Sequence, residues 1–409
     1  MRTKRIVVLM AVVAVSGIVT STQAFAADSA GAKKPTGAPV TVMALGDFKV
    51  AAAGIDTPEV PGAIQAVAKR VNKNGGLKDA SGTTHELKVV VCDGKLDPNL
   101  SADCARKAAD QKMAAVIGYG GSFVDSFFPI LKSAGIPIIG ALPNSAGVVT
   151  DPISFPIVSG GMGAVPGVPI LLKDAGATKT QTFTQEDLGG APFLSLLAKS
   201  GAKNAGVELT EPTPVPHDQA DVASAAAAAT KGDPQGVGYF LLGDLPAKFI
   251  RAVRQSGYKG KVAGISSFTN EELVKQIGAD ANGLLISANT RYLKTTKGGR
   301  QFQADMKAYN DKLAINDSSA IHWLSADTFV RVAETLPSID SASVLTAMGK
   351  LHNFDQLGMT PPLTTDTPNA DPTPFPFPRL FNPTVFFYTI KDGKLVEYQK
   401  TFVNPYAPQ

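Results

Sequence analysis

Between residues 40 and 141, short apolar runs alternate with longer stretches whose apolar residues recur every three or four positions. The short runs are rich in Val, Ile and Ala, which is typical of strands buried on both faces of a sheet. The longer stretches have the spacing of amphipathic helices. The predicted strands are VTVMAL (40–45), LKVVVC (87–92), AAVIG (114–118) and IPIIGA (136–141), and the predicted helices are 61–71, 98–111 and 122–134. This alternation predicts a parallel sheet covered by helices.

The same alternation starts again after Gly160 and predicts a second α/β unit. Its predicted strands lie near 179–183, 205–209, 237–243 and 261–266, and its predicted helices are 191–200, 218–230 and 245–256. SFPIVSGG (154–161) and GLLISANTR (283–291) are the expected crossings between the units. A helix over 320–336 is expected to return to the first unit.

The C-terminal part of the chain combines a proline-rich stretch with a hairpin pattern. Residues 361–383 contain too many prolines for a central strand or a helix interior, so we expect an ordered surface loop, with a disordered tail as the alternative. After it, two apolar runs flank Asp392 and Gly393, a pair that is typical of a tight hairpin turn. The hairpin indicates that the end of the chain is folded.

The N-terminus has the pattern of a secretory signal peptide. Arg2, Lys4 and Arg5 precede an apolar run over 6–19 and the small-residue site Ala24-Phe25-Ala26, which predicts cleavage after residue 26. A retained membrane anchor is the alternative, although the apolar run is shorter than a bilayer span requires. No cysteine follows the run, so we expect an exported protein, periplasmic or extracellular, without a lipid anchor.

Length and net charge indicate the number of domains and the kind of partner to expect. The 409 residues contain 39 Lys and Arg against 35 Asp and Glu, and removal of residues 1–26 leaves a net charge of +1. The remaining 383 residues exceed what one hydrophobic core usually supports, which favours two domains. Basic residues do not cluster with aromatic ones, so nucleic acid is not an expected partner.

The sequence contains two cysteines, Cys92 and Cys104. Cys92 is expected to end a strand and Cys104 to lie in the next helix, a separation that a short turn can close. An oxidising compartment favours a disulfide between them, and two buried free thiols are the alternative. No histidine or further cysteine pair lies near them in sequence, so a metal site is not expected.

The stretch VIGYGGSFVDSF (116–127) is the most distinctive candidate for binding chemistry. Gly118, Gly120 and Gly121 follow a predicted strand, and Ser122 stands where a helix N-cap belongs, with Asp125 three residues later as its capping-box partner. Ligands of parallel sheets bind at the carboxyl ends of strands, and helix N-termini attract anions. A ligand-binding turn and a simple helix cap are both compatible with this pattern.

Three other chemistries fit this stretch poorly. A nucleotide-binding P-loop needs a lysine, a dinucleotide motif needs glycine where Phe123 stands, and a hydrolase elbow needs glycine where Val124 stands. The scattered histidines have no evident partners in sequence, and a catalytic triad built with Ser122 is therefore not indicated. The histidines are His85, His217, His322 and His352.

Taken in order, four segments resemble the solute-binding proteins of ABC importers, specifically the branched-chain amino acid type. They are AIQAVAKRVNKNGGL, LKVVVCDGKLDP, AAVIGYGGS and SAGIPIIGALPNS. The resemblance implies a type I periplasmic binding protein fold, with two doubly wound Rossmann-like lobes and three hinge crossings. It places lobe I at 39–158 plus 286–358 and lobe II at 159–285 plus 359–409. It also implies a monomer that performs no chemistry, needs no cofactor, and hands a small solute to a membrane permease.

The resemblance also implies a ligand site. Gly121 and Ser122 correspond to the positions that hold the ligand carboxylate, Leu142 and Asn144 to contacts after the fourth strand, and the first loop adds a wall at Asp47 and Phe48. In the second lobe, Leu188 stands where the family usually has an aromatic residue. Ser266 stands where the family has the acid that holds an ammonium group.

Those two departures affect the expected ligand. A buried ammonium without a counter-charge costs several kcal/mol. Either another acid supplies the charge, with Asp47, Asp187 and Asp244 as candidates, or the ligand lacks an ammonium. We therefore expect a small amino acid, a related carboxylate or a neutral solute, with an apolar or aromatic body. A ligand sensor of the same fold and an exported serine hydrolase using Ser122 are the alternatives.

Overall fold

A computed structural model describes residues 34–407 except for 52–54, 120–122, 187–190, 211, 217–221, 268, 371–372 and 374–375. The predicted signal peptide, residues 1–26, lies outside the described residues. Elements are numbered in chain order. The helices are α1 (Glu59–Lys73), α2 (Pro98–Asp110), α3 (Val124–Ser133), α4 (Ala146–Thr150), α5 (Gly160–Asp174), α6 (Ala191–Ala205), α7 (Val222–Ala228), α8 (Leu245–Gln255), α9 (Glu271–Ile277), α10 (Lys297–Asn310), α11 (Asp317–Ala333) and α12 (Ser341–Met348).

A five-stranded parallel sheet forms the first layer, in the order β6-β1-β7-β8-β9. Its strands are β1 (Val40–Gly46), β6 (Leu87–Asp93), β7 (Ala115–Tyr119), β8 (Ile138–Ala141) and β9 (Ser154–Phe155). Val42 and Ala44 belong to the core on the side of α1 and α11, whereas Met43 and Leu45 pack with α2 and α3. The alternation of strand side chains therefore fills a core on both faces, as the nearly continuous apolar runs predict.

Two short antiparallel pairs lie beside the first sheet. They are β2 (Lys49–Val50) with β3 (Ile55–Asp56), and β4 (Leu77–Lys78) with β5 (Thr84–His85).

The second sheet has eight strands, in the order β11-β10-β13-β14-β15-β16-β17, with β12 also paired to β10. Its strands are β10 (Lys179–Gln185), β11 (Glu208–Leu209), β12 (Thr213–Val215), β13 (Gly236–Phe240), β14 (Lys261–Ile265), β15 (Leu285–Ala288), β16 (Phe386–Lys391) and β17 (Lys394–Glu397). The first six are parallel, and β16 and β17 are antiparallel. The predicted hairpin is confirmed, because Lys391 pairs with Lys394 across Asp392 and Gly393, both at positive φ.

The chain passes between the two sheets three times. It leaves the first sheet after β9 and enters α5, which packs on β14 and β15. It leaves the second sheet after β15 and enters α10 and α11, which pack on α1, and it returns after α12 to form β16. A parallel and a mostly parallel sheet, both covered by helices and joined by three passages, confirm the predicted α/β fold class.

Cys92 and Cys104 form the predicted disulfide, with the sulfur atoms 1.99 Å apart and the Cα atoms 5.9 Å apart. The bond joins the end of β6 to α2. Asp97 caps α2 by accepting hydrogen bonds from the backbone N–H groups of Asn99 and Leu100, and Pro98 fills the first helical position.

The proline-rich stretch is anchored to the rest of the protein by several buried residues. Leu363 and Leu380 are fully buried, and Phe377 is nearly so. Arg379 Nε and Asn382 Nδ2 donate hydrogen bonds to the carbonyl oxygens of Ser154 and Ile157. These two side chains satisfy backbone carbonyls in and just after the edge strand β9. The prolines of the stretch lack an N–H and could not pair with that strand through their backbone.

Candidate functional site

A partly open cavity of about 230 Å³ lies between the two sheets, near the carboxyl ends of their strands. Leu142 and Asn144 reach it from the loop after β8, and Phe193 and Leu197 reach it from α6 of the second layer. The starts of α5 and α11 complete the wall. The carboxyl ends of parallel strands leave backbone groups and loops free for binding, so this is where a ligand of such a fold is expected.

Most of the cavity wall is apolar. α5 contributes Met162 and Val165, α6 contributes Phe193 and Leu197, and the end of β14 contributes Ile265. The volume exceeds the ~150 Å³ of an engineered cavity that holds benzene and falls below the ~300 Å³ at which drug-sized pockets begin. The cavity therefore suits a small solute with an aliphatic or single-ring body.

Asn144 gives one end of the cavity the character of a hydrogen-bond donor. Its Oδ1 accepts a 2.9 Å hydrogen bond from the backbone N–H of Gly161, in the first turn of α5. An N–H donor requires an acceptor, so the end of the Asn144 amide that faces Gly161 is its oxygen. The NH₂ group at the other end is then available to donate to another partner. The N-terminus of α5 adds the positive end of a helix dipole to the same part of the wall.

Asp317, the first residue of α11, gives the cavity a buried carboxylate. It is only 3% exposed. Oδ1 accepts hydrogen bonds from the backbone N–H and the hydroxyl of Thr290, at 2.9 and 2.5 Å, and Oδ2 accepts from the backbone N–H of Asn289 at 2.9 Å. Among the described residues, no cationic side chain forms an ion pair with Asp317, so only neutral donors and the helix dipole balance its charge.

Ser266 lies directly beside this carboxylate. Its hydroxyl donates a 2.6 Å hydrogen bond to Asp317 Oδ2, and the next residue, Ser267, lines the cavity. The resemblance implies that Ser266 stands where the family has an acid. The structure brings an acid to within hydrogen-bonding distance of that position, from α11 instead of from the loop after β14.

Asp47 and Phe48 do not line the cavity. Phe48 belongs to the buried core, and its backbone N–H bonds Asp93 Oδ1 at 2.9 Å. Asp47 Oδ1 accepts from the backbone N–H of Leu96, whereas its Oδ2 is buried without a partner. Burial raises the pKa of Asp47. Both side chains thus take part in packing the turn between β1 and the loop after β6.

Asp244 also lies away from the cavity lining. It occupies the N-cap of α8 and pairs with Lys248 one turn later, with more than half of its side chain exposed. This is the arrangement of an ordinary surface ion pair on a helix.

Four predicted contacts, Gly121, Ser122, Asp187 and Leu188, lie outside the described residues. The neighbouring residues still correct one detail, because α3 begins at Val124 with Phe123 at its N-cap, one residue later than predicted. The hydroxyl of Tyr119 accepts the backbone N–H of Phe123 at 3.0 Å and so satisfies the N–H of the N-cap residue. The predicted capping box pairs Asp125 with Ser122, which lies outside the described residues, so the capping box stays a prediction.

Sequence reasoning placed Leu142 and Asn144 in the ligand site, and the structure brings both to the cavity. It missed Asp317 and the wall formed by α5 and α6. The one local signal for Asp317 is the sequence NDSS (316–319), in which Asn316 caps α11 and Ser319 completes a capping box. That signal predicts a helix start and says nothing about what the helix start faces.

Two helix-covered parallel sheets with a small cavity between their carboxyl edges define a two-lobed α/β binding protein. A family model described as periplasmic binding protein matches residues 39–374, and the chain belongs to this family. Members of the family are solute-binding proteins and not enzymes, and they act outside the cytoplasm. Among curated proteins, no significant sequence match is found.

Solved structures show the same fold at low sequence identity. An ABC transporter substrate-binding protein from Aeropyrum pernix matches with a TM-score of 0.72 and 15% identity, over 88% of this chain and 95% of its own. An extracellular ligand-binding receptor from Verminephrobacter eiseniae matches with 0.71 and 20%, over 88% and 99%. A branched-chain amino acid transporter substrate-binding protein from Streptococcus pneumoniae, in complex with isoleucine, matches with 0.68 and 16%, over 87% and 97%.

Within the described part of the chain, no helix is long and apolar enough to cross a membrane, and no group of three or more potential metal ligands is found.

Proposed function

We propose that this chain is an extracytoplasmic solute-binding protein that carries a small apolar amino acid or related carboxylate, aliphatic or aromatic, to the permease of an ABC importer. The observation that carries the proposal is the cavity itself, because α6 of the second layer and the loop after β8 of the first layer both line it. A solute held from both sides stabilises the closed arrangement of two hinged lobes. The proposed lobes are 39–158 with 286–358, and 159–285 with 359–409, except that the whole of β15 (Leu285–Ala288) belongs with the second sheet.

The polarity of the cavity supports a solute with separate positive and negative ends. The free amide NH₂ of Asn144 and the N-terminus of α5 favour a carboxylate. The buried charge of Asp317 favours an ammonium, because opposite charges attract strongly where water is excluded. Phe193, Leu194 and Leu197 suit the apolar side chain between these two ends.

The residues outside the described part belong to the same proposal. Gly121 and Ser122 follow β7 and are proposed to bind the solute carboxylate together with Asn144. Asp187 and Leu188 precede α6, whose first turn lines the cavity, and are proposed to close the site from the second lobe. Docking of a closed monomer on a membrane permease is the proposed consequence of binding.

Calorimetry with charge-matched probes tests this function. Isoleucine is compared with 3-methylpentanoate, and phenylalanine with 3-phenylpropanoate, since each pair differs only in the ammonium group. We expect the ammonium-bearing member of one pair to bind about tenfold tighter or better, and Asp317→Asn to reduce that preference.

Mass spectrometry of solute released from the purified, denatured protein provides an independent measurement. We expect an intact small molecule that carries a carboxylate. The proposal fails if no solute is released and no member of either pair binds. Equal or tighter binding of the deaminated member would retain the binding function and refute the role of Asp317.

A further inference from the structure

A second groove, of about 490 Å³, lies on the first layer and shares no lining residue with the solute cavity. It runs between β9, the end of α12 and the proline-rich stretch. Three cationic residues from separate elements line it, namely Lys132 at the end of α3, Lys350 after α12, and Arg379. No carboxylate is among its described lining residues.

Arg379 is held beside two aromatic rings. The group lies 4.6 Å from the ring centroid of Phe155 and 4.9 Å from that of Phe381, and the two rings are nearly parallel. Its Nε donates a 2.7 Å hydrogen bond to the carbonyl oxygen of Ser154. The two rings and this hydrogen bond fix the position of the guanidinium, whose planar set of N–H donors suits an oxyanion.

The described residues only partly compensate the positive charge of Arg379. Arg379 Nη2 is buried without an acceptor, and no described carboxylate forms an ion pair with the guanidinium. Burial lowers the pKa of Arg379 to about 10, and the more distant charge of Asp151 opposes that change only in part. A half-buried guanidinium in this condition gains from a negatively charged partner.

The two lysines add mobile positive charge at the rim. Lys132 is about half exposed and lies 3.3 Å from Asp151, so its charge is shared with one carboxylate. Lys350 is exposed, and no ion pair is found for it among the described residues. The negative end of α12 also borders the groove, where the hydroxyl of Thr365 caps the carbonyl of Met348. The described lining of the groove therefore contains three cationic side chains and no acidic one.

We propose that this groove binds a small free oxyanion of the phosphate or carboxylate type, between Arg379, Lys132 and Lys350. The site is independent of the solute cavity, so its occupancy does not require the proposed transport function.

Thermal unfolding and calorimetry with the full mature chain test the site, with sodium phosphate and sodium acetate as the probes and sodium chloride at equal ionic strength as the reference. We expect phosphate or acetate to raise the unfolding temperature above the chloride reference. Lys350→Gln and Arg379→Gln should each weaken binding of the active probe about tenfold.

Lys307→Gln, an exposed lysine on α10, is the matched control and should leave binding of either anion unchanged. Arg379→Gln also removes packing against two rings, so a loss of stability can accompany its loss of binding. Lys350 is exposed, so Lys350→Gln tests anion binding without that loss of packing. The site is refuted if neither anion stabilises the protein beyond chloride, or if Lys350→Gln and Lys307→Gln bind the active anion equally. The probe that binds identifies which oxyanion the groove accepts.

Discussion

The hydroxyl of Ser266 donates a 2.6 Å hydrogen bond to Oδ2 of Asp317, and this bond joins the end of β14 in the second layer to the start of α11. α11 packs on β7 and β8 of the first sheet. Ser159, in the first passage between the sheets, donates to Asn289 in the second passage, and Asn289 donates in turn to Asp317. One buried carboxylate thus connects both layers at the floor of the cavity.

Replacement of Asp317 by Asn should destabilise the protein by about 2–4 kcal/mol, because an amide leaves buried donors of Ser266, Asn289 and Thr290 without their charged acceptor. Urea unfolding at 25 °C measures the loss. Asp311→Asn, at the exposed end of α10, is the control and should change stability by less than about 0.5 kcal/mol. Equal effects of the two variants would contradict a stabilising role for Asp317.

Replacement of Asn144 by Asp should abolish the donor that faces the cavity and keep the acceptor for the N–H of Gly161. We expect solute affinity to fall at least about tenfold with little change in stability, because a carboxylate repels the acidic end of the solute. Calorimetry with whichever matched probe binds best measures the change. Asn144→Ala removes both contacts, and a loss of affinity confined to the Ala variant would assign Asn144 a purely structural role.

Gly118 and Gly135 form a matched pair that separates backbone strain from crowding. Both have positive φ, at +67° and +63°, but a Cβ on Gly118 would lie 2.3 Å from His322 Cδ2, whereas a Cβ on Gly135 meets nothing within 4 Å. Gly135→Ala should cost about 1–2 kcal/mol for strain alone. Gly118→Ala should cost about 1–3 kcal/mol more, since α11 cannot retreat from the end of β7.

Urea unfolding of both glycine variants gives the comparison. A difference below about 0.5 kcal/mol would show that α11 shifts freely against β7.

Arg70 links α1 to two buried acids, with Nε 2.8 Å from Asp305 and an Nη nitrogen 2.6 Å from Asp327. Arg70→Met should cost about 3–5 kcal/mol at pH 7, because it leaves a buried carboxylate without its counter-charge. Burial raises the pKa of Asp305, and a hydrogen bond from the Trp323 indole and the charge of Arg70 oppose that rise.

The pH dependence of this variant follows from the direction of that shift. A folded-state pKa above the unfolded value makes stability fall as pH rises, and removal of Arg70 raises the folded pKa of Asp305 further. We therefore expect the cost of Arg70→Met to be larger at pH 7 than near pH 4, as measured by urea unfolding at both values. Arg106→Met, which breaks only an exposed pair with Asp103, should show a small cost at both. A cost of Arg70→Met that is the same at both pH values would contradict the argument.

Loss of the disulfide, by Cys92→Ala combined with Cys104→Ala, should destabilise the protein by about 3 kcal/mol, as expected for a loop of this length. Guanidinium unfolding of the double variant measures the loss, and reduction of the parent protein should reproduce it. A double variant as stable as the parent would show that the β6–α2 connection holds without the bond.

Sequence alone determined the elements whose pattern is local and strong. Apolar runs predicted the parallel strands except β9, β12 and β15. Helical spacing predicted α1, α2 and α8, and Asp392-Gly393 predicted the hairpin, because each signal depends on neighbours in the chain. The resemblance to the solute-binding proteins placed Leu142 and Asn144 in the ligand site, and both line the cavity.

Tertiary structure alone decided α5 and Asp317. α5 contains Pro166 and Pro169 and four glycines, a composition that argues against a helix, and it forms because twelve of its residues are buried between β14, β15 and α6. Gly201 of α6 approaches so closely that a Cβ there would lie 2.1 Å from the carbonyl oxygen of Pro166. The local sequence around Asp317 predicts only the start of a helix. Its role as the buried charge of the cavity depends on contacts with Ser266 and Thr290, which are 51 and 27 residues away in the chain. Contacts at such separations depend on how the two sheets pack, which no local pattern encodes.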